Sequence, residues 1–226
     1  MAETQTRKTR KAPVRGKRKL SFKTRNPADT KESILNAAIK EFSEYGFLGA
    51  RVERIVRNSG ISMRMLYHYF KNKESLYVAV LERVYQDVRI TEQQVDLSGT
   101  SPEEAIGRLI DFTFTHFAEN PDLINLVMAE NLLKAEYLKR SELVPSMSRR
   151  LQESMKEILD QGAEDGTFRA DIDPVQLWIS IFSLCWTHLS NRHTLSWMFQ
   201  TDLSEADWLA ARRDHVRQVV LAYLRA

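Results

Sequence analysis

Between Ser62 and Lys73 the chain reads S-M-R-M-L-Y-H-Y-F-K-N-K, a stretch dense in side chains that suit nucleic acid. The guanidinium fork of Arg64 can pair bidentately with guanine O6 and N7 in a major groove, and Met63 can meet a thymine methyl, with Met65 beside it. The hydroxyls of Ser62, Tyr67 and Tyr69 and the ammonium of Lys73 suit phosphates, contacts that orient a protein without reading sequence. His68 falls at the rim of the same stretch, and Arg51, a little upstream, adds a cation within reach of a backbone. Such chemistry needs a rigid platform.

The pattern around these residues supplies one. Ser62 stands where an N-cap belongs for a helix over Met63 to Tyr69, whose inward side chains are Leu66 and Phe70. Before it, Val52, Ile55 and Val56 share one helical face, with Arg51, Glu53, Arg54 and Arg57 on the other, and Asn58-Ser59-Gly60 breaks the run. Two short helices joined by a glycine turn form a helix-turn-helix, which presents the N-terminal residues of its second helix to base edges. Upstream, Asp29-x-x-Glu32 reads as a capping box opening a helix with Ile34, Leu35, Ala38, Ile39 and Phe42 on its buried face, ended by Gly46. Downstream, Asn72 caps a long helix striped by Leu76, Val80, Leu81, Val84 and Val88.

The string S-G-I-S-M-R-M-L-Y-H-Y-F-K-N-K-E-S-L resembles the recognition segment of TetR-family transcriptional repressors, and Asp29 to Val56 is similar to that family's first two helices. Ala50-Arg51 departs from the Thr/Ser pair common there, so an arginine would replace a hydroxyl-to-phosphate contact. The resemblance implies backbone contacts at Tyr67, Tyr69 and Lys73, a dimer, and an effector cavity coupled through the fourth helix to the spacing of two recognition helices. The strings G-F-L-G-A-R-V-E-R-I and N-P-D-L-I-N-L-V-M-A-E-N-L resemble the branch that includes the pyrimidine-utilisation repressor, which makes a small polar effector conceivable.

The second half reads as helices throughout. Ser101-Pro-Glu-Glu caps a fifth helix ending near Glu119, Pro121 restarts a sixth to about Lys139, and a seventh carries Pro145 in its first turn and runs to Gly162. Asp173 caps an eighth reaching about His193, and Ser204 to Asp207 opens a ninth, Trp208 to Leu224. Phe112, His116, Phe117, Met128, Glu130, Asn131 and Trp186 are candidate effector-lining residues, although an aromatic stripe at helical spacing also describes plain core. Trp178, Phe182, Leu189, Trp208, Val216, Val220 and Tyr223 exceed what one buried helix face needs and read as a self-association surface. A two-fold DNA reader also requires two recognition helices one helical turn apart.

Composition bounds the rest. The chain has 226 residues, 43% hydrophobic and 28% charged, enough for a sizeable core in one or two domains. Its net charge of +3 conceals a basic tail, since the first 25 residues hold ten Lys/Arg against the single acid Glu3. Residues 1–26 read as a disordered basic arm whose Pro13-Val14-Arg15-Gly16-Lys17-Arg18 loosely matches an AT-hook core; minor-groove insertion, added phosphate affinity and no role at all stay open. No apolar run reaches membrane-spanning length, the N-terminus is not signal-like, and the cytoplasm, at the bacterial nucleoid, is the expected location. Among five histidines there is no H-x-x-x-H pair, and no P-loop, dinucleotide or nucleophile-elbow motif occurs, so neither enzyme chemistry nor a metal or other cofactor is expected.

These observations predict an all-α protein of about nine helices. Residues 27–74 would form a three-helix DNA-binding domain and 75–226 an effector-binding and dimerisation domain. The expected function is repression from a palindromic, double-stranded operator, relieved by an unknown small molecule. The competing expectation is a sequence-independent architectural binder that works through the basic arm.

Overall fold

Helix ends in this chain are set by local chemistry. The computed structural model describes residues 26–92 and 99–226. The proposed basic arm, apart from Asn26, and its AT-hook-like string lie outside the described residues, as do Ser98 and its neighbours before Gly99. Among the described residues there are ten α-helices, one 3₁₀ turn and no strand, only an isolated bridge between Phe168 and Arg225.

The N-terminal end comprises α1 (Pro27–Gly49), α2 (Val52–Ser59) and α3 (Met63–Tyr69), followed by the long α4 (Lys73–Glu92). Asn26 caps α1, accepting from the Ala28 N–H at 3.3 Å, with Pro27 in the first turn. The D-x-x-E box is thus not the cap. Asp29 lies inside the first turn, and Glu32 instead takes a two-pronged bond from Arg83 of α4 at 2.5 and 2.8 Å. Gly46, at φ 62°, kinks the end of α1 as expected. Ile34, Ala38, Phe42, Ile55, Leu66, Leu76, Tyr77 and Val80 form the core these helices share.

The remaining helices are α5 (Pro102–Glu119), α6 (Pro121–Leu132), α7 (Leu143–Glu164), α8 (Pro174–Ser190), α9 (Arg192–Phe199) and α10 (Ala206–Leu224). Ser101 and Asp173 cap α5 and α8 as the sequence indicates, and Asn72 caps α4, accepting from Ser75 N–H at 2.7 Å. The central α5 is apolar on most sides, burying Ile106, Leu109, Ile110, Phe114 and Phe117 against α7, α8 and α10.

Two boundaries differ from the sequence reading. The sixth helix stops at Leu132 rather than near Lys139, because buried Glu130 takes the backbone N–H groups of Tyr137 and Leu138 at 2.7 and 2.8 Å. Lys134 and Ala135 then turn through positive φ (57° and 59°) into the 3₁₀ turn Leu138–Arg140. A carboxylate that satisfies two amides replaces the carbonyls an α-helix would have offered them. The second difference is α9. Asn191 ends α8 by donating its side-chain amide to Thr187 O at 3.1 Å, and the segment expected to close the eighth helix starts a new one. The count among the described residues therefore rises to ten because α9 forms after the expected eighth helix, and the expected ninth is α10.

Candidate nucleic-acid interface and interior cavity

The α2–α3 pair is built on a few polar contacts. Gly60 adopts the left-handed region (φ 67°, ψ 27°) that a residue with a Cβ enters at a cost, which lets the chain reverse between the helices. Ser33 of α1 donates to Ser59 O at 3.0 Å, tying the turn to the first helix. Ser62 accepts from Met65 N–H at 3.3 Å, the predicted N-cap. Leu66 and Phe70 are buried, so α3 is pinned from behind and its other faces are free to meet a partner.

Arg64, Tyr67 and His68 are exposed, Met65 is 38% exposed, and Met63 and Tyr69 lean partly onto the core. Met63 is thus less outward than its position suggests. Arg51 is exposed at the N-terminus of α2, where unpaired amides and the helix dipole favour an anion. Lys73 is half-buried with its ammonium 4.7 Å from the Phe47 ring centroid; burial lowers its pKa, with Arg54 adding to the effect. The structure gives that lysine an aromatic seat as well as a charge.

The strongest anchor was not anticipated. Glu41, buried on α1, accepts from the Arg51 backbone N–H at 2.7 Å and from Arg54 Nε at 2.7 and 3.0 Å. Arg54 also donates to Gly49 O at 2.9 Å and stacks on Tyr45. Burial pushes the Glu41 carboxyl up, but the Arg54 and Arg51 hydrogen bonds and the Arg54 and Lys73 charges outweigh it and hold its pKa below the ordinary value. Arg54 therefore belongs to the scaffold, not to the solvated face. The signal lay in the periodicity, since Glu41 falls on the apolar stripe of α1 next to Phe42.

Behind this end the two modules touch. Asp122 of α6 pairs with Lys40 and accepts from Ser43 Oγ at 2.8 Å, both on α1. Phe47, Tyr77 and Tyr137 cluster with ring centroids 4.1 to 5.2 Å apart, so α1, α4 and the turn after α6 share one aromatic plug.

Further along, a cavity of about 120 Å³ opens between α4, α5, α6, α7 and α8. From α4 it is lined by Tyr85, Val88 and Arg89, and from α5 by Phe112, Thr113, His116 and Phe117. Leu123 and Val127 of α6, Ser148 of α7 and Trp178, Phe182 and Trp186 of α8 complete the wall. Phe182 and Trp186 stack at 5.0 Å and 20°, while Phe117 meets both edge-on. Burial lowers the His116 pKa, with Arg89 acting the same way against the opposing pull of Asp87 and Glu119.

Of the expected lining residues, Phe112, His116, Phe117 and Trp186 are in the wall, and Met128, Glu130 and Asn131 are not. Met128 is exposed on α6, Asn131 is exposed at its C-terminal end, and Glu130 points into the junction with the 3₁₀ turn. Leu123 and Val127, one turn earlier, are what α6 gives the cavity. The surface predicted for self-association also needs correction. Val216 and Val220 are buried in the protomer, Trp178 and Phe182 face the cavity, Leu189 packs on the core, and Trp208 lies against His188 at 5.5 Å. Only Tyr223 keeps an exposed ring, with Arg169 over it at 4.4 Å. Because α8 and α10 pack on α5, their largest residues point inward; the open faces carry Val175, Ile179 and Val219 instead. Cys185 is buried and its thiol is pushed up to about 12, which leaves it inert at neutral pH.

Comparison with known proteins agrees with this layout. Residues 34–80 match the bacterial regulatory proteins, tetR family, and residues 102–220 match the tetracyclin repressor-like C-terminal domain. The HTH-type transcriptional repressor NicS of Pseudomonas putida is 33% identical over 196 residues, covering 85% of this chain and 92% of that protein. The HTH-type transcriptional regulator RutR of Escherichia coli is 31% identical over 153 residues, 68% of this chain and 70% of its own length. Among solved structures, the transcriptional regulator SCO4942 of Streptomyces coelicolor superposes with a TM-score of 0.67 at 26% identity, over 86% of this chain and 98% of that one. A helix-turn-helix with an exposed arginine at its reading end, joined to a helical domain of matching sequence and shape, leaves one conclusion: the chain belongs to the TetR family of bacterial transcriptional regulators.

Proposed function

We propose that the protein is a repressor that binds a palindromic DNA operator as a homodimer and is released from it by a small-molecule effector seated between α4 and α8. The observation that carries the reading is Arg64, exposed at the start of a capped helix whose opposite side is fixed by Leu66 and Phe70. A guanidinium held there enters a major groove first. Arg51, Tyr67, Tyr69 and Lys73 then contact phosphates, with Ser62 shared between cap and backbone, while Met63, Met65 and His68 border the base edges.

Dimerisation follows from geometry and energy together. One α3 offers a single bidentate reader, and two copies spaced about 34 to 36 Å apart double the contacts at one association cost. The faces of α8 and α10 bearing Val175, Ile179, Val219 and Tyr223 suit an isologous four-helix contact. Effector occupancy reaches the reading heads through α4 and α6, which line the cavity and also pack on α1.

The test is binding of the full chain to its selected operator and to a scrambled duplex. Arg64→Ala should cost about 1 to 3 kcal/mol on the operator and far less on the scrambled DNA. Equal losses on both would remove Arg64 as base reader.

A further inference from the structure

We propose that α9 is a docking arm for a second copy of the chain: its Trp197, Met198 and Phe199 seat on the other copy's patch of Val175, Ile179, Val219 and Tyr223, and the contact is returned. The inference rests on the reading of the protein as a homodimer and names the contact and register that hold it.

The arm is built to hold apolar side chains outward. On the eight residues of α9, Trp197 is 77%, Met198 68% and Phe199 66% exposed, three large side chains in a row with Arg192, His193, Thr194, Gln200 and Thr201 around them. An exposed apolar patch rimmed by polar residues marks a protein contact. The helix itself is fixed in place. Leu203 is buried and gives its N–H to Ser196 Oγ at 3.2 Å, while Gln200 closes the helix at φ 50° and donates its side-chain amide to Trp197 O at 2.7 Å. A left-handed residue with a Cβ costs free energy, and here it holds a hydrophobic edge in water.

The faces of α8 and α10 supply the seat. Helix α10 runs antiparallel to α8, since Trp208 near its start meets His188 near the end of α8 and Arg212 donates to Leu184 O at 3.1 Å. Val175, Ile179, Ser183 and Thr187 recur every four residues and are all exposed, so one open stripe runs along α8; Ala211, His215, Val219 and Tyr223 do the same on α10. The large apolar members lie at one end of this two-helix face, at the start of α8 and the end of α10. Small ones lie at the other end, where α9 begins. A two-fold axis crossing near Ser183 turns the second copy end for end, so large meets small and each α9 arrives over the other copy's apolar end. Thr187 gives its hydroxyl to Ser183 O at 2.7 Å, so its burial there leaves no donor unmet.

Area selects the occupant. A stable dimer needs about 800 Å² from each copy, more than four partly exposed side chains supply. Two aromatic rings at roughly 150 to 250 Å² each, together with Met198, add on the order of 400 Å² once their exposure is counted. In an isologous contact that arm-on-patch pairing forms twice.

The test is sedimentation of the full-length protein at micromolar concentration, joined to cross-linking. Trp197→Ser, Met198→Ser and Phe199→Ser together should raise the dimer dissociation constant at least about a hundredfold, the scale of losing hot-spot side chains. Helical content by circular dichroism should stay at the wild-type value. A chain carrying Val175→Cys and one carrying Phe199→Cys should each give no cross-linked pair with a short bis-maleimide when expressed alone, and a pair when co-expressed; Cys185 is buried and is spared. An unchanged dissociation constant in the triple variant, or no cross-link in the co-expressed mixture, overturns the arm-on-patch contact while the homodimer stands. A triple variant that turns wild-type tetramers into dimers places the patch between dimers and overturns it too. A wild-type chain that is monomeric at this concentration removes the homodimer reading, and the arm with it.

Discussion

The two ends of the molecule are stabilised in different ways. Around α2 and α3 the framework is polar and local: a buried carboxylate on Arg51 and Arg54, a serine N-cap, a glycine turn and a serine tied to Ser59 O. Around α5 and α8 it is apolar and long-range, with aromatic rings packed about a cavity and residues such as Val216 and Val220 drawn in from α10. The difference fits the tasks. A reading head must keep a few side chains in fixed directions on a small body, which directional hydrogen bonds do well. A cavity between helices needs walls, which apolar packing provides with room to adjust.

The contrast can be broken at one end without the other. The largest effect is expected from Glu41→Ala, which leaves the partly buried Arg54 without its carboxylate and the Arg51 amide unmet. Removing one partner of a buried pair costs roughly 3 kcal/mol or more. Operator binding should collapse while tryptophan fluorescence from the cavity stays near wild type. Joint loss of both signals would show that the two ends are not separable in this way.

Acid should loosen the other end. His188 is buried between Phe114 and Trp208, and burial together with the Arg212 charge lowers its pKa from 6.5 to about 4. A histidine whose folded pKa is depressed is neutral in the folded state, and protonation favours the unfolded one. Its penalty is absent above pH 6.5, grows as pH falls from 6.5 towards about 4, and is constant below that. The full shift corresponds to about 3 kcal/mol. Denaturant melts across this window should show the slope in the wild type and a flatter one in His188→Leu; an identical slope in both assigns the acid sensitivity elsewhere.

The smallest effect sharpens the comparison. Ser62→Ala removes one cap of α3 and should cost about 1 kcal/mol of stability, visible as weaker operator binding at raised temperature. An unchanged temperature profile would mean that Leu66 and Phe70 alone hold the helix.

The helix-turn-helix was legible in the sequence because its signals are local. Period, cap and glycine turn lie within a few residues of one another, and α3 begins after Ser62 as those signals require. The C-terminal surface was not, because Trp178, Phe182, Val216 and Val220 announce only that they are large and apolar. Whether such a residue meets α5, a cavity or a second copy depends on which way its helix is rotated, and that is set by partners distant in the chain. The same reason hid Glu41, whose partners Arg51 and Arg54 lie across a turn, and Glu130, whose carboxylate ends α6 early.

The sequence by itself determined every helix among the described residues but α9, most of their caps, the place of Arg64 in the first turn of α3 and the family resemblance. Tertiary structure decided which aromatic residues became walls, which carboxylate became an anchor and how α6 bridges α1 to the cavity. The physical reason is one of range. Caps and periodicity act over one or two turns, whereas burial and ion pairing are settled only when segments far apart in the chain meet.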